Sequence, residues 1–142
     1  LGGTRALGEV LQAVKDAGGR LIVSPNADPT VIRETRRLGL ESWPGVFTAT
    51  ECFAALAAGA SGLKLFPADQ AGTVALKALR AVLPREAPVY AVGGVGPANF
   101  ADWLRAGAQG FGGCCRATAT ANCPGNSVKN PRPRAGSTAT AC

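Results

Sequence analysis

The feature that most restricts the fold of this chain is a repeated junction, in which a helix ends at a glycine and the chain turns directly into a short apolar strand. The junction occurs at residues 58–62 and again at 106–110. Strand-like and helix-like segments alternate at intervals of about 20 to 26 residues, which is typical of parallel β/α units. Because no strand carries a G-x-G-x-x-G motif, the repeat favours a (β/α) barrel over an open doubly wound sheet.

Apolar periodicity and capping residues set the boundaries of the predicted elements. Asp28 with Pro29, Thr48 with Glu51, and Pro97 are typical of helix starts. The predicted helices cover about residues 6–17, 29–38, 49–58, 73–83 and 97–106. The predicted strands cover about residues 20–24, 45–47, 62–68, 88–92 and 110–112, and a sixth strand is expected to end at residues 1–4.

A complete barrel has eight strands in about 250 residues or somewhat fewer. The sequence therefore predicts an α/β chain whose residues 1–112 form a partial (β/α)8 (TIM) barrel, about strands 3 to 8 of the eight.

Residues 113–142 differ from the rest in composition. The chain carries a formal charge of +6, and this segment contributes Arg116, Lys129, Arg132 and Arg134 with no acid. It holds few large apolar residues, so we expect it to be disordered. A basic arm for nucleic acid is the weaker interpretation, because four scattered charges are little evidence for one. An extraneous or frame-shifted end explains the composition better, and no nucleic-acid partner is expected.

Other composition signals point to a cytoplasmic protein without a metal site. No apolar run approaches the roughly 20 residues that cross a bilayer, so no membrane partner is expected, and the start lacks a signal-peptide pattern. The chain has no histidine and no Cys-x-x-Cys pair, which argues against zinc. Five cysteines, four of them after residue 112, do not indicate a disulfide framework.

Lys64 is the candidate nucleophile, because it lies in the middle of the apolar strand Gly62–Ala68. A strand with apolar residues on both sides is usually covered on both faces. Desolvation there disfavours the charged ammonium and makes a neutral amine available, which is the chemistry of a Schiff-base lysine. The alternative is a lysine near the end of the strand whose ammonium reaches water.

The exits of the other predicted strands would line the same mouth of a barrel, where active sites of this fold lie. Gly93 and Gly94 follow the strand at 88–92, and adjacent glycines at such a turn can present N–H groups to a phosphate. A tight turn is the plainer explanation for the pair. Thr4, Ser24 and Thr48 lie at other exits and have an equally plain role as helix caps.

Four motifs resemble successive signatures of the 2-keto-3-deoxy-6-phosphogluconate and 2-keto-3-deoxy-6-phosphogalactonate aldolase family. They are Leu21–Asn26, Pro44–Val46, Gly62–Ala68 and Val92–Val95, within a match over about residues 3–112. The Ser-Pro-Asn and Lys-Leu-Phe-Pro-Ala forms are closer to the phosphogalactonate branch. The resemblance implies a trimeric class I aldolase, a lyase without metal or other cofactor, that cleaves the phosphorylated 2-keto-3-deoxy sugar acid to pyruvate and glyceraldehyde 3-phosphate.

The resemblance also implies roles for individual residues. Lys64 matches the Schiff-base lysine, and Thr4 matches a threonine that contacts the pyruvate portion. Phe66 and Pro67 match the wall beside the lysine, while the pair Gly93–Gly94 matches the backbone cradle for the phosphate.

The sequence departs from the family pattern at both ends. The glutamate that serves the family as general acid/base and the arginine that binds the substrate carboxylate would both precede Leu1, and neither Glu51 nor Asp69 is placed to replace the glutamate. The family's Gly-Ser phosphate loop is replaced by Gly113-Cys114-Cys115. We therefore expect impaired activity. The alternative is an inactive barrel fragment, at most a module for phosphate binding or subunit association.

Overall fold

The computed structural model describes residues 2–112, with side chains described from Leu7 onward. Helices and strands alternate along these residues. The helices are α1 (Gly2–Asp16), α2 (Pro29–Arg37), α3 (Ala49–Ala57), α4 (Ala68–Val82) and α5 (Phe100–Ala106). The strands are β1 (Leu21–Ser24), β2 (Glu41–Val46), β3 (Leu63–Leu65), β4 (Val89–Val92) and β5 (Gly110–Gly112).

The five strands form one sheet in the order of the chain, β1-β2-β3-β4-β5, and every neighbouring pair is parallel. Each connection within the sheet carries one helix. Sequential parallel strands with intervening helices are the arrangement of a (β/α) barrel, whereas a doubly wound sheet reverses its strand order partway. The prediction of a partial (β/α)8 barrel is confirmed.

The core lies between the sheet and the helices. Side chains of β3 and β4 that point toward the helices are almost completely buried, as are the helix residues that meet them. This cluster includes Leu63, Leu65, Val89, Ala91, Ile32, Ala55, Leu76 and Trp103. Burial of a leucine side chain stabilises the fold by about 1.5–3 kcal/mol, so these contacts hold the sheet against its helices.

The opposite, inner face of the sheet carries two aromatic rings that lie against glycines. Trp43 of β2 and Tyr90 of β4 contact each other with ring centroids 4.4 Å apart. A Cβ added at Gly62 would lie 2.5 Å from Cη2 of Trp43, and one added at Gly110 would lie 2.7 Å from Cζ of Tyr90. The two glycines therefore leave the space that the rings fill.

Two of the predicted helix starts are confirmed in detail. The Asp28 carboxylate accepts hydrogen bonds from the N–H groups of Thr30 and Val31 at the start of α2. Thr48 and Glu51 form a complete capping box at the start of α3. Such caps satisfy N–H groups that have no partner within the helix.

The prediction that residues 1–4 end a sixth strand is wrong for residues 2–4, which form the first turn of α1. A strand needs a neighbouring strand for its hydrogen bonds, whereas a helix satisfies them within its own segment. In the described part of the chain, β1 pairs with β2 alone, and nothing extends the sheet beyond it. Thr4 therefore lies on a helix and not at a strand exit.

Strand β2 begins at Glu41, before the predicted start, and Pro44 lies inside it opposite Ser24. The carbonyl groups of Ser42 and Val46 accept hydrogen bonds from the β3 side, so the nitrogen of Pro44 faces that side too. Pairing with β3 begins at Gly45. Proline has no N–H to donate toward β3. Because Pro44 lies just before this pairing begins, β2 tolerates the missing hydrogen bond.

Two further helix starts and the end of β3 differ from the prediction, since β3 ends at Leu65 and not at residue 68. Helix α4 begins at Ala68, because a first turn precedes Gly72, whose φ of 74° and ψ of 165° interrupt the helix before the predicted start. Helix α5 begins at Phe100 after Asn99, and Pro97 lies in the turn before it. The fixed φ of proline suits a turn as well as a first helical turn, so the sequence signal was the same for both.

The predictions for residues 113–142 lie outside the described residues. Among those that are described, no helix has the length and apolar character needed to cross a membrane.

We predict that Gly45→Ala lowers the free energy of unfolding by about 1–3 kcal/mol, the usual range for overpacking. A methyl group at this position would overlap the carbonyl group of Pro25, which is backbone and cannot rotate away. Urea denaturation followed by circular dichroism measures the change. Gly96→Ala is the matched control, since nothing lies within 4 Å of its added Cβ. Equal stability of the two variants would contradict the close approach.

Candidate active site

Lys64 lies at the centre of the described sheet, and its direction follows from its neighbours. Leu63 and Leu65 are fully buried against the helices. Because successive side chains of a strand point to opposite faces, Lys64 points to the inner face. It pairs with Gly45 of β2 on one side and with Tyr90 of β4 on the other.

The Lys64 side chain is half-buried, and its Nζ lies 4.9 Å from the centroid of the Phe66 ring. This is cation–π distance, which favours the charged form. Burial has the opposite effect, and it lowers the pKa of the Lys64 ammonium below its usual value. Within residues 7–112, no carboxylate forms an ion pair with Lys64. A larger share of neutral amine is therefore available than at a surface lysine.

Gly45 allows the chain that leaves β1 to lie directly against β2, beside the lysine strand. The chain leaves β1 at Ser24, and the carbonyl group of Pro25 then passes directly over Gly45, the residue that pairs with Lys64. The Ser24 hydroxyl donates a 2.9 Å hydrogen bond to the carbonyl group of Asn26 and so holds this exit in a tight turn. Ser24 thus acts in a loop turn and not as the cap of α2, which is Asp28.

The exit of β3 contacts the exit of β4. The N–H of Asp69 donates a 3.0 Å hydrogen bond to the carbonyl group of Gly93. A Cβ added at Gly93 would lie 3.4 Å from Cα of Pro67 and 3.5 Å from Cδ2 of Phe66. Lys64, Phe66, Pro67 and Gly93 therefore form one contiguous group at the carboxyl end of the sheet, as predicted for neighbouring strand exits.

Gly93 and Gly94 both adopt positive φ values, 95° and 67°. Glycine reaches this region without the steric cost that other residues have. Successive residues in such a turn can direct their N–H groups toward one point, which is the geometry of an anion-binding loop. The tight turn is therefore observed, and a phosphate at its N–H groups stays a prediction.

Sequence reasoning missed Asn99, which holds this loop in shape. Its Oδ1 accepts a 2.9 Å hydrogen bond from the N–H of Gly96, and its Nδ2 donates a 3.1 Å bond to the carbonyl group of Gly94. The only signal was an asparagine two residues after the predicted helix start at Pro97, and asparagine near a helix start usually indicates a simple cap.

Glu51 holds the exit of β2 and is not free for proton transfer. Its Oε2 accepts 2.8 Å hydrogen bonds from the N–H groups of Phe47 and Thr48. These bonds hold the pKa of Glu51 below its usual value. Asp69, the other acid considered from the sequence, is exposed at the rim beside Gly94. Neither group is engaged with Lys64, as the sequence predicted.

Thr4 lies in the first turn of α1, so the site described above does not include it. Cys52 is a free thiol buried in α3, and burial raises its pKa to about 11, so it is unreactive at neutral pH.

No group of three or more potential metal-ligating side chains occurs between the first and last described residues.

The sequence model described as "Aldolase: KDPG and KHG aldolase" matches residues 2–123. The chain belongs to the KDPG and KHG aldolase family. The resemblance identified from the four motifs is thereby confirmed, and the match includes every strand of the sheet.

Two curated members of the KDPG and KHG aldolase family are similar to this chain. One is named a probable 2-dehydro-3-deoxy-6-phosphogalactonate aldolase, from Rhizobium meliloti (strain 1021), with 52% identity over 102 residues, which are 72% of this chain and 48% of that protein. The other is the 2-dehydro-3-deoxy-6-phosphogalactonate aldolase of Escherichia coli (strain K12), with 47% identity over 110 residues, or 78% of this chain and 54% of that protein. The chain spans about half the length of these relatives.

A solved structure described as native KDPGal superposes with a TM-score of 0.73 at 44% sequence identity. The match covers 85% of this chain and 57% of that chain. The described half-barrel is therefore the fold of the KDPG and KHG aldolase family over the shared residues.

We predict that the stability of the protein depends on pH through Lys64. Its pKa is lower in the folded chain than the ordinary value of 10.5, so the unfolded chain binds more protons between those two values. The free energy of unfolding therefore rises with pH across that window. Lys64→Met has no ammonium group to bury, so its free energy of unfolding at pH 7 should exceed that of the unmodified chain.

Urea denaturation of both proteins between pH 7 and pH 10.5 measures the effect. The advantage of Lys64→Met should shrink as the pH rises through the folded-state pKa of Lys64. Parallel stability curves for the two proteins would show that the lysine is as well solvated in the folded chain as in the unfolded one.

Proposed function

We propose that this chain carries the imine-forming half of a class I aldolase, which cleaves a phosphorylated 2-keto-3-deoxy sugar acid to pyruvate and glyceraldehyde 3-phosphate. The observation that carries the proposal is the position of Lys64, half-buried on the inner face of the sheet and contiguous with the exit loop of β4. Membership of the KDPG and KHG aldolase family supports the reaction class.

In the proposed reaction the neutral amine of Lys64 attacks the C2 ketone of the substrate. Loss of water gives a protonated imine, which draws the electrons of the C3–C4 bond while the C4 hydroxyl gives up its proton. Glyceraldehyde 3-phosphate leaves, the enamine takes a proton at C3, and water then releases pyruvate and regenerates the amine. The lowered pKa of Lys64 increases the fraction of neutral amine that can begin this sequence.

The remaining site residues take the roles that the resemblance implies. Phe66 and Pro67 form the wall beside the imine, and the N–H groups of Gly93 and Gly94 hold the phosphate. Thr4 is assigned to the pyruvate portion by the resemblance alone. The ring of Phe66 is close enough to Nζ of Lys64, 4.9 Å from it, to restrict how a ketone approaches.

Proton transfer at the C4 hydroxyl needs a further group. Within residues 7–112 the carboxylate of Glu51 is held by backbone N–H groups, and that of Glu41 accepts from Trp43. Glu41 precedes Gly45 by four residues, which is about 13 Å along a strand. General acid–base assistance commonly raises a rate by about 10²–10⁴-fold. We therefore propose that these 142 residues alone form the imine but cleave the carbon–carbon bond more slowly, by about that factor, than a site that has such a group.

We propose phosphogalactonate in preference to phosphogluconate as the sugar acid. The two relatives reported above carry phosphogalactonate in their names, and the Ser-Pro-Asn and Lys-Leu-Phe-Pro-Ala forms agree with that branch. A cytoplasmic homotrimer is proposed from the resemblance. The exposed rings of Phe47 and Phe53, 44% and 47% accessible, offer apolar surface for subunit association.

The second candidate is a catalytically inactive barrel fragment that at most binds phosphate or associates with other subunits. It is favoured by the lack of a carboxylate paired with Lys64 among the described residues. The two candidates differ in whether Lys64 forms an imine.

We predict that borohydride reduction in the presence of pyruvate labels Lys64 covalently. Intact mass and peptide mapping measure the adduct. Lys64→Met should give none, whereas Lys77→Met, which removes an exposed lysine from α4, should label like the unmodified chain. A folded sample that shows no adduct at Lys64 would contradict the aldolase proposal and leave the inactive fragment.

A further inference from the structure

The positive charge of Lys64 has one described contact, and that contact is an aromatic ring. Within residues 7–112 no carboxylate forms an ion pair with the ammonium group, and no hydrogen-bond acceptor contacts its Nζ. Nζ lies instead 4.9 Å from the centroid of the Phe66 ring. A cation within about 6 Å of such a centroid is attracted by the negative face of the ring. Phe66 therefore stabilises a positive charge on this nitrogen.

The backbone of the strand exits positions the Phe66 ring beside the amine. Phe66 follows Lys64 by two residues in extended chain, which places both side chains on the same face of the sheet. The N–H of Phe66 donates a 3.1 Å hydrogen bond to the carbonyl group of Val46 at the end of β2. On the other side, a Cβ added at Gly93 would lie 3.5 Å from Cδ2 of the ring. The exits of β2 and β4 thus hold the ring from both sides.

The other titratable groups around Lys64 do not take the place of the ring. Tyr90 is the neighbour of Lys64 on β4, and its ring lies against the next strand, β5. At the exit of β2 the carboxylate of Glu51 accepts hydrogen bonds from backbone N–H groups, whereas Glu41 lies at the opposite end of that strand. Asp69, near the start of α4, accepts a hydrogen bond from the next residue in the chain. None of these three carboxylates forms an ion pair with the ammonium group.

The same nitrogen carries the charge at two stages of the proposed reaction. Nζ is first the nitrogen of the ammonium group, and after attack on the ketone and loss of water it becomes the nitrogen of the imine. The imine accepts the electron pair of the C3–C4 bond readily only while this nitrogen carries a proton and a positive charge. An imine is a weaker base than the amine from which it forms, and burial disfavours the cation further. The imine therefore needs a stabilising contact more than the amine does.

We propose that Phe66 is a positioning residue whose ring keeps the Lys64 imine protonated through a cation–π contact with Nζ. The inference rests on the proposed function, because it takes Lys64 to form an imine. It goes beyond a wall that restricts the approach of the ketone, since a wall requires only an apolar side chain of similar size. The cation–π contact requires an electron-rich face.

The strength of cation–π contacts gives the size of the expected effect. At a partly exposed site such a contact changes the ratio of a neutral group to its cation by about two- to fivefold. A ring-trifluorinated phenylalanine has nearly the shape of phenylalanine but a much less negative face. At position 66 it should therefore raise the ratio of neutral to protonated imine at a given pH by about two- to fivefold, and the same ratio for the free amine likewise.

The test is a pH titration of the full chain with pyruvate that carries a ¹³C label at C2, because the NMR shift of this carbon distinguishes the protonated imine from the neutral one. The free amine is titrated without pyruvate through the Cε signal of Lys64, which is assigned by its loss in Lys64→Met. Trifluorinated phenylalanine replaces Phe66 alone in one protein. In the control it replaces Phe53 alone, a ring on α3 that is 47% exposed, and should change neither ratio.

Phe66→Leu is a second variant, which keeps an apolar side chain but has no ring, and it should move both ratios in the same direction. Circular dichroism confirms that each protein is folded. A rise of about two- to fivefold in the share of neutral imine with the trifluorinated ring at position 66, absent with the one at position 53, supports the proposal.

An unchanged ratio overturns the inference, while the imine signal itself leaves the aldolase proposal standing. A variant at position 66 that forms the imine more slowly but with an unchanged ratio shows that the ring acts by its shape alone, and this outcome also overturns the inference. If the unmodified chain forms no imine with pyruvate, the proposed function fails and the inference fails with it.

Discussion

The burial of Leu63 and Leu65 against the helices fixes where the ammonium group of Lys64 lies. These two side chains have no exposed surface, and turning β3 over would move both into the barrel interior while bringing a charged group into the core. Either change is unfavourable by several kcal/mol. The fold therefore holds the lysine on the inner face through the packing of its two neighbours, and the chemistry of the candidate site depends on that packing.

Glycines shape the inner face as much as the side chains do. Gly45, Gly62 and Gly110 all lie where a Cβ would overlap a neighbouring group, either a backbone carbonyl or an aromatic ring. Trp43 and Tyr90 fill the space beside two of them. Tyr90 is also the β4 neighbour of Lys64, while on the β2 side the lysine has Gly45 and its amine lies near the ring of Phe66. The sheet can thus be crowded near Trp43 and Tyr90 and still leave its lysine accessible.

Much of this arrangement could be predicted from sequence, because the strongest signals are local. The capping residues Asp28 and Thr48 and the alternation around Lys64 depend on near neighbours, and the structure agrees with them. The start of β2 at Pro44 and the start of α5 at Pro97 were predicted wrongly because proline occurs in several settings. It is found before a strand, within a strand where no N–H is needed, in a turn, and at a helix start. Which of these applies depends on distant residues, such as the partner strands of Pro44.

The site residues divide in the same way. Lys64, Gly93 and Gly94 could be chosen as candidates because their types are unusual at a strand centre and a strand exit. Asp69 could not, since its contact with Gly94 joins segments that are far apart in the sequence and close only in the folded sheet. Asn99 is only five residues after Gly94, but an asparagine near a helix start does not show which loop groups its side chain will bind. No sequence pattern indicates that an exposed aspartate lies over a particular glycine.

The hydrogen bond from the N–H of Asp69 to the carbonyl group of Gly93 links the exit of β3 to the exit of β4. Local opening of a protein proceeds through contiguous units whose bonds break together. The turn that follows the lysine and the loop that follows β4 consequently belong to one unit, and neither can fluctuate freely while the other stays closed. Motion at the mouth is then a concerted event, in which the surroundings of the amine and those of the distal end of a bound molecule loosen at the same moment.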